Sequence, residues 1–489
     1  MVRFVLGRIL LVEGLLMIPS MIVCLLYREG LRSVMSFVLP IALLLLIGFL
    51  MCRRMPEKTS LYARDGLAIV AMAWVLMSLF GALPFWLSGD IPSFVDSFFE
   101  TVSGLTTTGS TILTEVEPLG KGVLFWRSFT HWVGGMGVLV FVMAVLPMSD
   151  GHGMHLMRAE VPGPSVGKLV SKMSDTAKIL YGIYFGLTVI LVILLLFGGM
   201  DLYESCIHAF GAAGTGGFSN RNLSIGAYNS VYIEVVLATF MLLFGINFNL
   251  YYFILIKRAK DAFASEELHT YLIIILVSVT LITADIFRIY GSVGTSLRHA
   301  YFQVSSILTT TGYGTVDFNT WPGLSKTILI LLMFIGGCAG STGGGLKVCR
   351  VMILVKSCIR DMRRMLHPNA IVPVHIEHKP LDEKTVRSSQ MYLTVYVLIF
   401  VFSTLLLSFE EKDLITTFTA VVACLNNIGP GLEVVGPMGN FSSFSWAAKL
   451  LLSLDMLIGR LEIFPMLLIF APSLWKRKRG TRRLFARKK

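Results

Sequence analysis

A short glycine-bearing turn occurs four times in this chain, each time between two long apolar runs. In each copy a short apolar or amphipathic segment precedes the turn, and a longer apolar segment follows it. Irregular backbone persists at membrane depth only where it lines water or is enclosed by protein. The repeat therefore predicts a pore lined by backbone, and four copies predict a ring of carbonyl groups around one axis. The middle glycines of the four turns are read as Gly109, Gly216, Gly312 and Gly429.

The composition places the chain in a membrane. Of its 489 residues, 55% are hydrophobic and only 15% are charged, whereas soluble domains have about 25% charged residues. The net charge of +12 could indicate a nucleic-acid partner. However, the basic residues lie in the short segments between apolar runs and in the tail 476–489, as the positive-inside rule predicts. We therefore expect no nucleic-acid partner, and we expect the tail to lie against anionic lipid.

The order of apolar segments predicts an all-α polytopic membrane protein. Two N-terminal spans precede four parallel repeats of span, short pore helix, turn and span, arranged around a pseudo-fourfold pore. The short helices, predicted at 94–106, 203–213, 297–309 and 414–426, cannot cross a bilayer and are expected to be re-entrant. The loop charges put the turns on the outer side and both ends of the chain in the cytoplasm. The predicted divisions are two N-terminal helices in 1–65, pore repeats in 66–150, 151–260, 261–365 and 366–475, and the basic tail 476–489.

The chemistry of the turns favours a cation. A dehydrated potassium ion needs a cage of oxygen atoms, which successive backbone carbonyls can supply. Glycine adopts the required backbone angles without a steric penalty, and a preceding threonine can add a hydroxyl oxygen. The alternative is that these are ordinary turns that end helices. The predicted potassium ligands are Thr107, Thr108, Gly109, Gly214, Thr215, Gly216, Thr310, Thr311, Gly312, Asn427, Ile428 and Gly429.

The sequence also resembles a known family. The turn TTGYG at 310–314 looks like the T-V-G-Y-G filter of potassium channels. The stretches FFETVSGLTTTGST, FGAAGTGGFSN, SSILTTTGYGTVDF and ACLNNIGPGLE resemble the four filters of the Trk/Ktr/HKT potassium transporters. The TrkH branch is indicated by the two extra N-terminal spans and by RSFTHWVGGMGVLVF, GINFNLYYF, IGGCAGSTGGGLKVCR and LHPNAIVPV.

The resemblance covers essentially the whole chain and carries several expectations. It implies a multi-pass subunit for potassium uptake in the bacterial inner membrane. It also implies a homodimer that works with a TrkA-type cytoplasmic nucleotide-binding regulator. In this family a glycine in the first filter accompanies potassium selectivity, and a serine there accompanies sodium permeation in plant relatives. Gly109 therefore implies a potassium-selective pore.

A glycine-rich run interrupts the second span of the third repeat. Its composition is compatible with close helix packing through small residues, whereas the resemblance implies a flexible loop that gates the pore. A phosphate loop does not fit, because Leu346 separates Gly345 from Lys347. The predicted gating residues are Gly336, Gly337, Gly340, Ser341, Thr342, Gly343, Gly344 and Gly345.

Arg460 lies within the last apolar run, and intramembrane charges are costly and usually functional. It could pair with the nearby acids Asp455 or Glu462, whereas the resemblance places it toward the pore as a barrier to cations. Asn247 and Asn249 could face the pore or form hydrogen bonds between helices.

Three classes of function remain open from the sequence. A gated potassium pore fits best, and a symporter that couples potassium to protons or sodium is the main alternative. A membrane-embedded enzyme is disfavoured, because the nine histidines form no H-E-x-x-H motif and no metal-ligand cluster stands out. We expect potassium as the transported ion and no organic cofactor bound to this chain. The sequence leaves open which nucleotide acts through the regulator.

Overall fold

The two N-terminal spans and the first span of each repeat form long apolar helices. The computed structural model describes residues 1–54, 63–137, 173–370, 372–377 and 379–470. Within these residues six helices are long and apolar enough to cross a membrane, and a seventh is obtained if one bent helix pair counts as a single span. The described strands are the two short antiparallel ones at His375–Ile376 and Lys379–Pro380. The end of predicted repeat 1 at 138–150, the start of predicted repeat 2 at 151–172 and the tail 476–489 lie outside the described residues.

The first predicted span is broken once. Helices Val2–Leu16 and Ile18–Leu26 meet at Met17, and Pro19 lies in the first turn of the second helix. Helix Leu31–Cys52 packs along Val2–Leu16, where small residues allow close approach. A Cβ atom on Gly48 would lie 2.8 Å from the carbonyl oxygen of Gly7.

Each of the four repeats contains an outer helix, a short helix and an inner helix. The outer helices are Ala63–Gly81 with Leu83–Ser88, Met173–Phe197, Glu266–Tyr290 and Glu383–Leu407. The short helices are Phe94–Leu105, Leu202–Gly214, Val293–Leu308 and Leu414–Leu425, within a few residues of the predicted positions. The inner helices are Lys121–Gly135, Val231–Phe244 with Phe248–Leu255, Gly323–Ile335 with Val348–Leu366, and Trp446–Arg460 with Phe464–Ile469.

Helix packing closes the repeats into a ring. Each short helix packs against the outer and inner helices of its own repeat. Short helices 2, 3 and 4 also pack against the inner helices of repeats 1, 2 and 3, and short helix 1 packs against the inner helix of repeat 4. The same contact thus recurs four times and returns to its start, as expected for a pseudo-fourfold arrangement.

Inner helices 2, 3 and 4 are interrupted, and the break in the third lies at the glycine-rich run where the sequence predicts it. The second is bent by 91° between Phe244 and Phe248. The third is replaced by non-helical backbone from residue 336 to 347, and the fourth breaks after Arg460. Hydropathy alone does not reveal the breaks in the second and fourth inner helices, because apolar residues flank both of them.

Local capping fixes where the short helices begin. The side chains of Ser93, Asp201 and Asp413 accept hydrogen bonds from backbone N–H groups in the first turns of short helices 1, 2 and 4. Hydrogen bonds from Thr416 hold the pKa of the Asp413 carboxyl below its usual range. Short helix 3 begins at Ser292 without a side-chain cap.

Candidate functional site

The four turns share one backbone conformation. The residue after each short helix's last turn lies in the left-handed region, with φ of 57° at Thr107, 56° at Thr215, 60° at Thr310 and 55° at Asn427. The left-handed region costs a residue with a Cβ about 1–2 kcal/mol. Such strain persists only where the surroundings impose it, and it concentrates at functional sites. Two residues later each turn has a glycine with positive φ: Gly109 at 83°, Gly217 at 78°, Gly312 at 85° and Gly429 at 103°.

This pattern corrects the predicted register of the second turn. The residue equivalent to Gly109 is Gly217, whereas the prediction from the sequence repeat aligned Gly216 with Gly109. Gly216 instead occupies the position of Thr108, Thr311 and Ile428. Two adjacent glycines made the register ambiguous in the sequence, and only one of them adopts positive φ.

Backbone hydrogen bonds hold the N–H groups of the turns away from the centre of the ring. At the position before each positive-φ glycine, the N–H donates to a carbonyl five residues earlier in the short helix. The bonds are Thr108 to Ser103 at 2.8 Å, Gly216 to Gly211 at 2.8 Å, Thr311 to Ser306 at 2.8 Å and Ile428 to Ala423 at 2.9 Å. The carbonyl oxygens of the same four residues remain available for another partner.

Each of those four carbonyls lies against the positive-φ glycine of a neighbouring turn. A Cβ atom on Gly109 would meet the carbonyl oxygen of Gly216, and one on Gly217 would meet that of Thr311. A Cβ atom on Gly312 would meet the carbonyl oxygen of Ile428, and one on Gly429 would meet that of Thr108. The turns are therefore neighbours in the order 1, 2, 3, 4 and back to 1. The close approach also explains why each position is a glycine, because any side chain would displace a carbonyl.

The four carbonyl oxygens are buried and have no hydrogen-bond donor within the described part of the chain. Buried carbonyls in folded proteins are almost always paired. A ring of unpaired carbonyls is therefore costly unless a cation or water satisfies it. Chemically, such a ring supplies hard oxygen ligands without any formal negative charge, which suits a monovalent cation better than a divalent one.

The ring of turns opens on one side into a cavity of about 260 Å³. All four positive-φ glycines line it. The turns thus converge on one space, which connects them to the loops that follow. The further lining includes Ser110, Thr111, Arg127, Phe218, Ser219 and Pro430.

A buried ion pair supports turns 1 and 2. The Nε atom of Arg127 lies 2.6 Å from the Glu100 carboxylate, and these side chains are only 3% and 0% exposed. Glu100 also accepts hydrogen bonds from the Thr111 hydroxyl and the Ile112 N–H, while Arg127 donates to the carbonyl of Ser219 at 3.0 Å. The pair therefore connects the end of turn 1 to the end of turn 2. Sequence reasoning missed it, although charged residues within apolar segments were a usable signal.

His131 and Tyr313 connect the turns to neighbouring segments by hydrogen bonds. His131 Nδ1 lies 2.8 Å from the Gly104 carbonyl, and the Phe218 N–H donates to His131 Nε2 at 3.3 Å. His131 is therefore neutral, with its proton on Nδ1. The Tyr313 hydroxyl lies 3.1 Å from the carbonyl oxygen of His208, so turn 3 is tied to repeat 2.

Turn 4 is tied to turn 1 by side chains. Asn427 Nδ2 donates to the Thr108 hydroxyl at 2.9 Å, and the Ser110 hydroxyl donates to the Gly429 carbonyl at 3.0 Å. With the exception of Thr107, the threonines predicted as ligands use their hydroxyls within the protein. Thr108 Oγ1 bonds Thr106, and the Thr311 hydroxyl likewise bonds that of its neighbour two residues earlier. The hydroxyl of Thr107 has no hydrogen-bond partner among the described residues.

The loop 336–347 lies directly against the turns, on the side away from the cavity. Its Gly344 N–H donates to the Thr310 hydroxyl at 2.6 Å, and its Gly345 N–H donates to the Asn426 carbonyl at 3.1 Å. Its Cys338 N–H donates to the carbonyl of Gly245 at 2.9 Å. The loop therefore touches repeats 2 and 4 as well as turn 3. The predicted gating residues are brought together there.

Arg460 reaches the same loop. Its guanidinium donates to the carbonyl of Thr342 at 2.9 Å and to those of Gly134 and Gly135 at 2.6 Å. The side chain thus joins repeat 4, the loop of repeat 3 and the end of inner helix 1. Of the two acids near it in sequence, Asp455 accepts a hydrogen bond from Ser403 and Glu462 pairs with Arg350.

Asn247 has a local role at the bend of inner helix 2. Its side-chain oxygen accepts the N–H of Asn249 at 3.0 Å and caps helix Phe248–Leu255. The Phe248 N–H donates to the Gly340 carbonyl at 3.1 Å. The bend of inner helix 2 is therefore in hydrogen-bond contact with the loop 336–347.

Comparison with known proteins agrees with this architecture. The profile of the TrkH family, described as a cation transport protein, matches residues 35–289 and 265–477. The chain is 38% identical over 477 residues to the Trk system potassium uptake protein TrkH of Salmonella typhimurium, covering 96% of this chain and 97% of that protein. It is 33% identical to TrkG of Escherichia coli K12, covering 96% and 97% of the two chains.

A solved structure gives the same result. The crystal structure of the potassium transporter TrkH from Vibrio parahaemolyticus superposes with a TM-score of 0.86 at 32% identity, covering 97% of this chain and 99% of that chain. The ring of turns, the apolar helices and these full-length similarities lead to one conclusion. The chain is a membrane protein of the TrkH family of cation transport proteins.

Proposed function

We propose that this chain takes up potassium ions across the bacterial inner membrane through the ring of carbonyls. The observation that carries the proposal is the set of four buried carbonyl oxygens at Thr108, Gly216, Thr311 and Ile428, which have no donor within the described ranges of the chain. These oxygens replace the hydration shell of the ion. The names of the relatives, which are potassium uptake proteins, support potassium as the ion.

The proposed ligand set includes the predicted residues of all four turns. The ring carbonyls are the main ligands in this account, and Gly217 joins the predicted set. The hydroxyl of Thr107, which has no other partner in the described structure, is available to an ion leaving the ring.

The loop 336–347 is the proposed gate. It crosses beneath turns 3 and 4 and is held there by backbone bonds to three repeats. Arg460 adds a positive charge at the same level and bonds the loop, so that it opposes cation passage while the loop is closed. Opening requires the loop to leave Thr310 and Asn426.

We further propose that opening is controlled from the cytoplasm, by a TrkA-type nucleotide-binding subunit acting on a homodimer of this chain. The relatives' designation as parts of a Trk system supports this. Growth of a potassium-uptake-deficient bacterium at low potassium tests the proposal. Growth should be restored by this chain and strengthened by a co-expressed regulator, and failure of a well-expressed chain to support growth contradicts it.

Coupled transport is the competing function. Purified protein in liposomes, supplied with a rubidium tracer, separates the two. Uptake that persists without proton or sodium gradients, and single-channel currents, support the pore. Uptake that saturates and vanishes without such a gradient contradicts the pore and favours a symporter.

A further inference from the structure

The cytoplasmic start of outer helix 3 contacts the loop 336–347 through one carboxylate. Glu267, the second residue of helix Glu266–Tyr290, is buried at 8% exposure. Its Oε1 atom accepts the N–H of Ala339 at 2.7 Å and the N–H of Cys349 at 3.1 Å. Ala339 lies early in the loop, and Cys349 is the second residue of the helix that follows the loop.

Both bonds meet at the same oxygen, so they fix the distance between the two ends of the crossing segment. The residues between these ends include Gly344 and Gly345, which touch turns 3 and 4. A segment whose ends are held close together cannot straighten or withdraw as a unit.

The residues beside Glu267 connect the same helix start to the cytoplasmic surface. Glu266 pairs with Lys356 and accepts the N–H of Glu377 at 3.2 Å. The Ser265 hydroxyl donates to the Glu377 carboxylate at 3.2 Å, and Lys356 also donates to the carbonyl of His375 at 2.9 Å.

His375 and Glu377 belong to the short hairpin formed by strands His375–Ile376 and Lys379–Pro380. His375, Glu377, Lys379 and Pro380 are exposed. The hairpin is therefore accessible to a protein in the cytoplasm, while its attachment point is one residue from the buried carboxylate.

We propose that residues 265–267 form a latch, in which Glu267 positions the closed loop and Ser265 and Glu266 link it to the hairpin. This inference rests on the proposed function, in which the loop is the gate. Displacement of the hairpin moves the start of outer helix 3, withdraws the Glu267 carboxylate from the two N–H groups and frees the loop. Glu267 is thus a positioning residue that contacts no ion.

The native thiol of Cys338 reports on the latch directly. Cys338 lies in the loop, is 1% exposed and is unpaired. In a full-length chain whose other six cysteines are replaced by serine or alanine, a cationic methanethiosulfonate is applied from the cytoplasmic side of inverted vesicles. Glu267→Leu removes the acceptor of both hydrogen bonds and should raise the rate of Cys338 modification about tenfold, the effect of losing ~1.4 kcal/mol.

Two further variants separate positioning from general damage. Glu267→Gln keeps a carbonyl oxygen for the two N–H groups and should stay close to the parent rate. Glu234→Leu removes another buried acid, which pairs with Arg298 and has no described contact with the loop, and should leave the rate unchanged. An unchanged rate in Glu267→Leu, at a normal melting temperature, overturns the latch.

The link to the hairpin is measured in the same assay. Lys356→Met combined with Ser265→Ala should raise the rate of Cys338 modification, but by less than Glu267→Leu does. An unchanged rate in this double variant would show that the hairpin is not part of the latch. Failure of the underlying proposal looks different. If shortening the loop leaves potassium flux low, the loop is not the gate, whatever the reactivity of Cys338.

Discussion

The ring of turns and the loop 336–347 are both irregular backbone deep in the protein, yet their backbone N–H and C=O groups are paired in opposite ways. The turns send their N–H groups back to the short helices and leave four carbonyls without a donor among the residues that the structure describes. The loop pairs its groups with three repeats and with Arg460. Unpaired carbonyls predict a binding site for a cation. Paired backbone that lies against the same turns, as the loop does, predicts a barrier whose bonds must break.

The strongest test of this contrast is at a ring glycine. A Cβ on Gly312 would meet the Ile428 carbonyl, and φ there is +85°. Gly312→Ala should therefore lower potassium uptake at least about tenfold, since strain of 1–2 kcal/mol comes with a displaced ligand. The matched control is Gly314→Ala in the same motif, where the nearest atom to the new Cβ is 3.7 Å away. Rubidium uptake at equal expression measures both, and equal uptake contradicts the account.

Gly109→Ser tests selectivity. The serine Cβ would press on the Gly216 carbonyl and disturb two of the four turns. The permeability to potassium relative to sodium should fall about tenfold, which corresponds to ~1.4 kcal/mol. Reversal potentials under mixed-ion conditions give the ratio, and a ratio like that of the parent chain argues against carbonyl selection.

Shortening the loop tests the other half of the contrast. Removing part of 336–345 deletes the segment that contacts turns 3 and 4, so basal flux should rise severalfold to about tenfold. The variant must elute as a folded protein in size-exclusion chromatography. Low flux from a folded variant means that the loop is structural.

Arg460→Ala should raise basal flux less than loop shortening does. It removes the positive charge and one bond to the loop at Thr342, while the loop's other bonds remain. Lys449→Ala is the control, because Lys449 lies on the same inner helix but pairs with Asp96, away from the loop. A decrease in flux at normal expression would oppose the barrier role.

Tyr313→Phe should give the smallest change. It removes a hydroxyl contact between turn 3 and repeat 2 that is worth about 0.5–1.5 kcal/mol. The potassium-to-sodium ratio should therefore fall less than in Gly109→Ser. Tyr290→Phe, whose hydroxyl bonds Trp321 outside the ring, should leave the ratio unchanged. Loss of ratio in both variants would point to general destabilisation.

Much of this architecture could be predicted from the sequence. Hydropathy located the spans, and segment length identified the four short helices, because ten to sixteen apolar residues followed by glycine cannot be a full span. The predicted filter and loop residues do lie together. These features depend on local composition and order, which a single sequence contains.

Other features depend on contacts between distant residues. Gly216 and Gly217 are equivalent choices until the carbonyl of Thr311 is seen beside the second. Glu100 and Arg127 appear as isolated charges until the fold joins them. The breaks in the inner helices are set by partners in other repeats, such as the Gly245 carbonyl that receives the loop.

The central claim is that the four ring carbonyls bind the transported ion, and heavy-ion crystallography tests it most directly. Crystals grown with rubidium or thallium should show an anomalous peak on the axis, equidistant from the carbonyl oxygens of Thr108, Gly216, Thr311 and Ile428. The peak should be lost when sodium replaces these ions. A well-ordered ring with no peak on its axis would contradict the account.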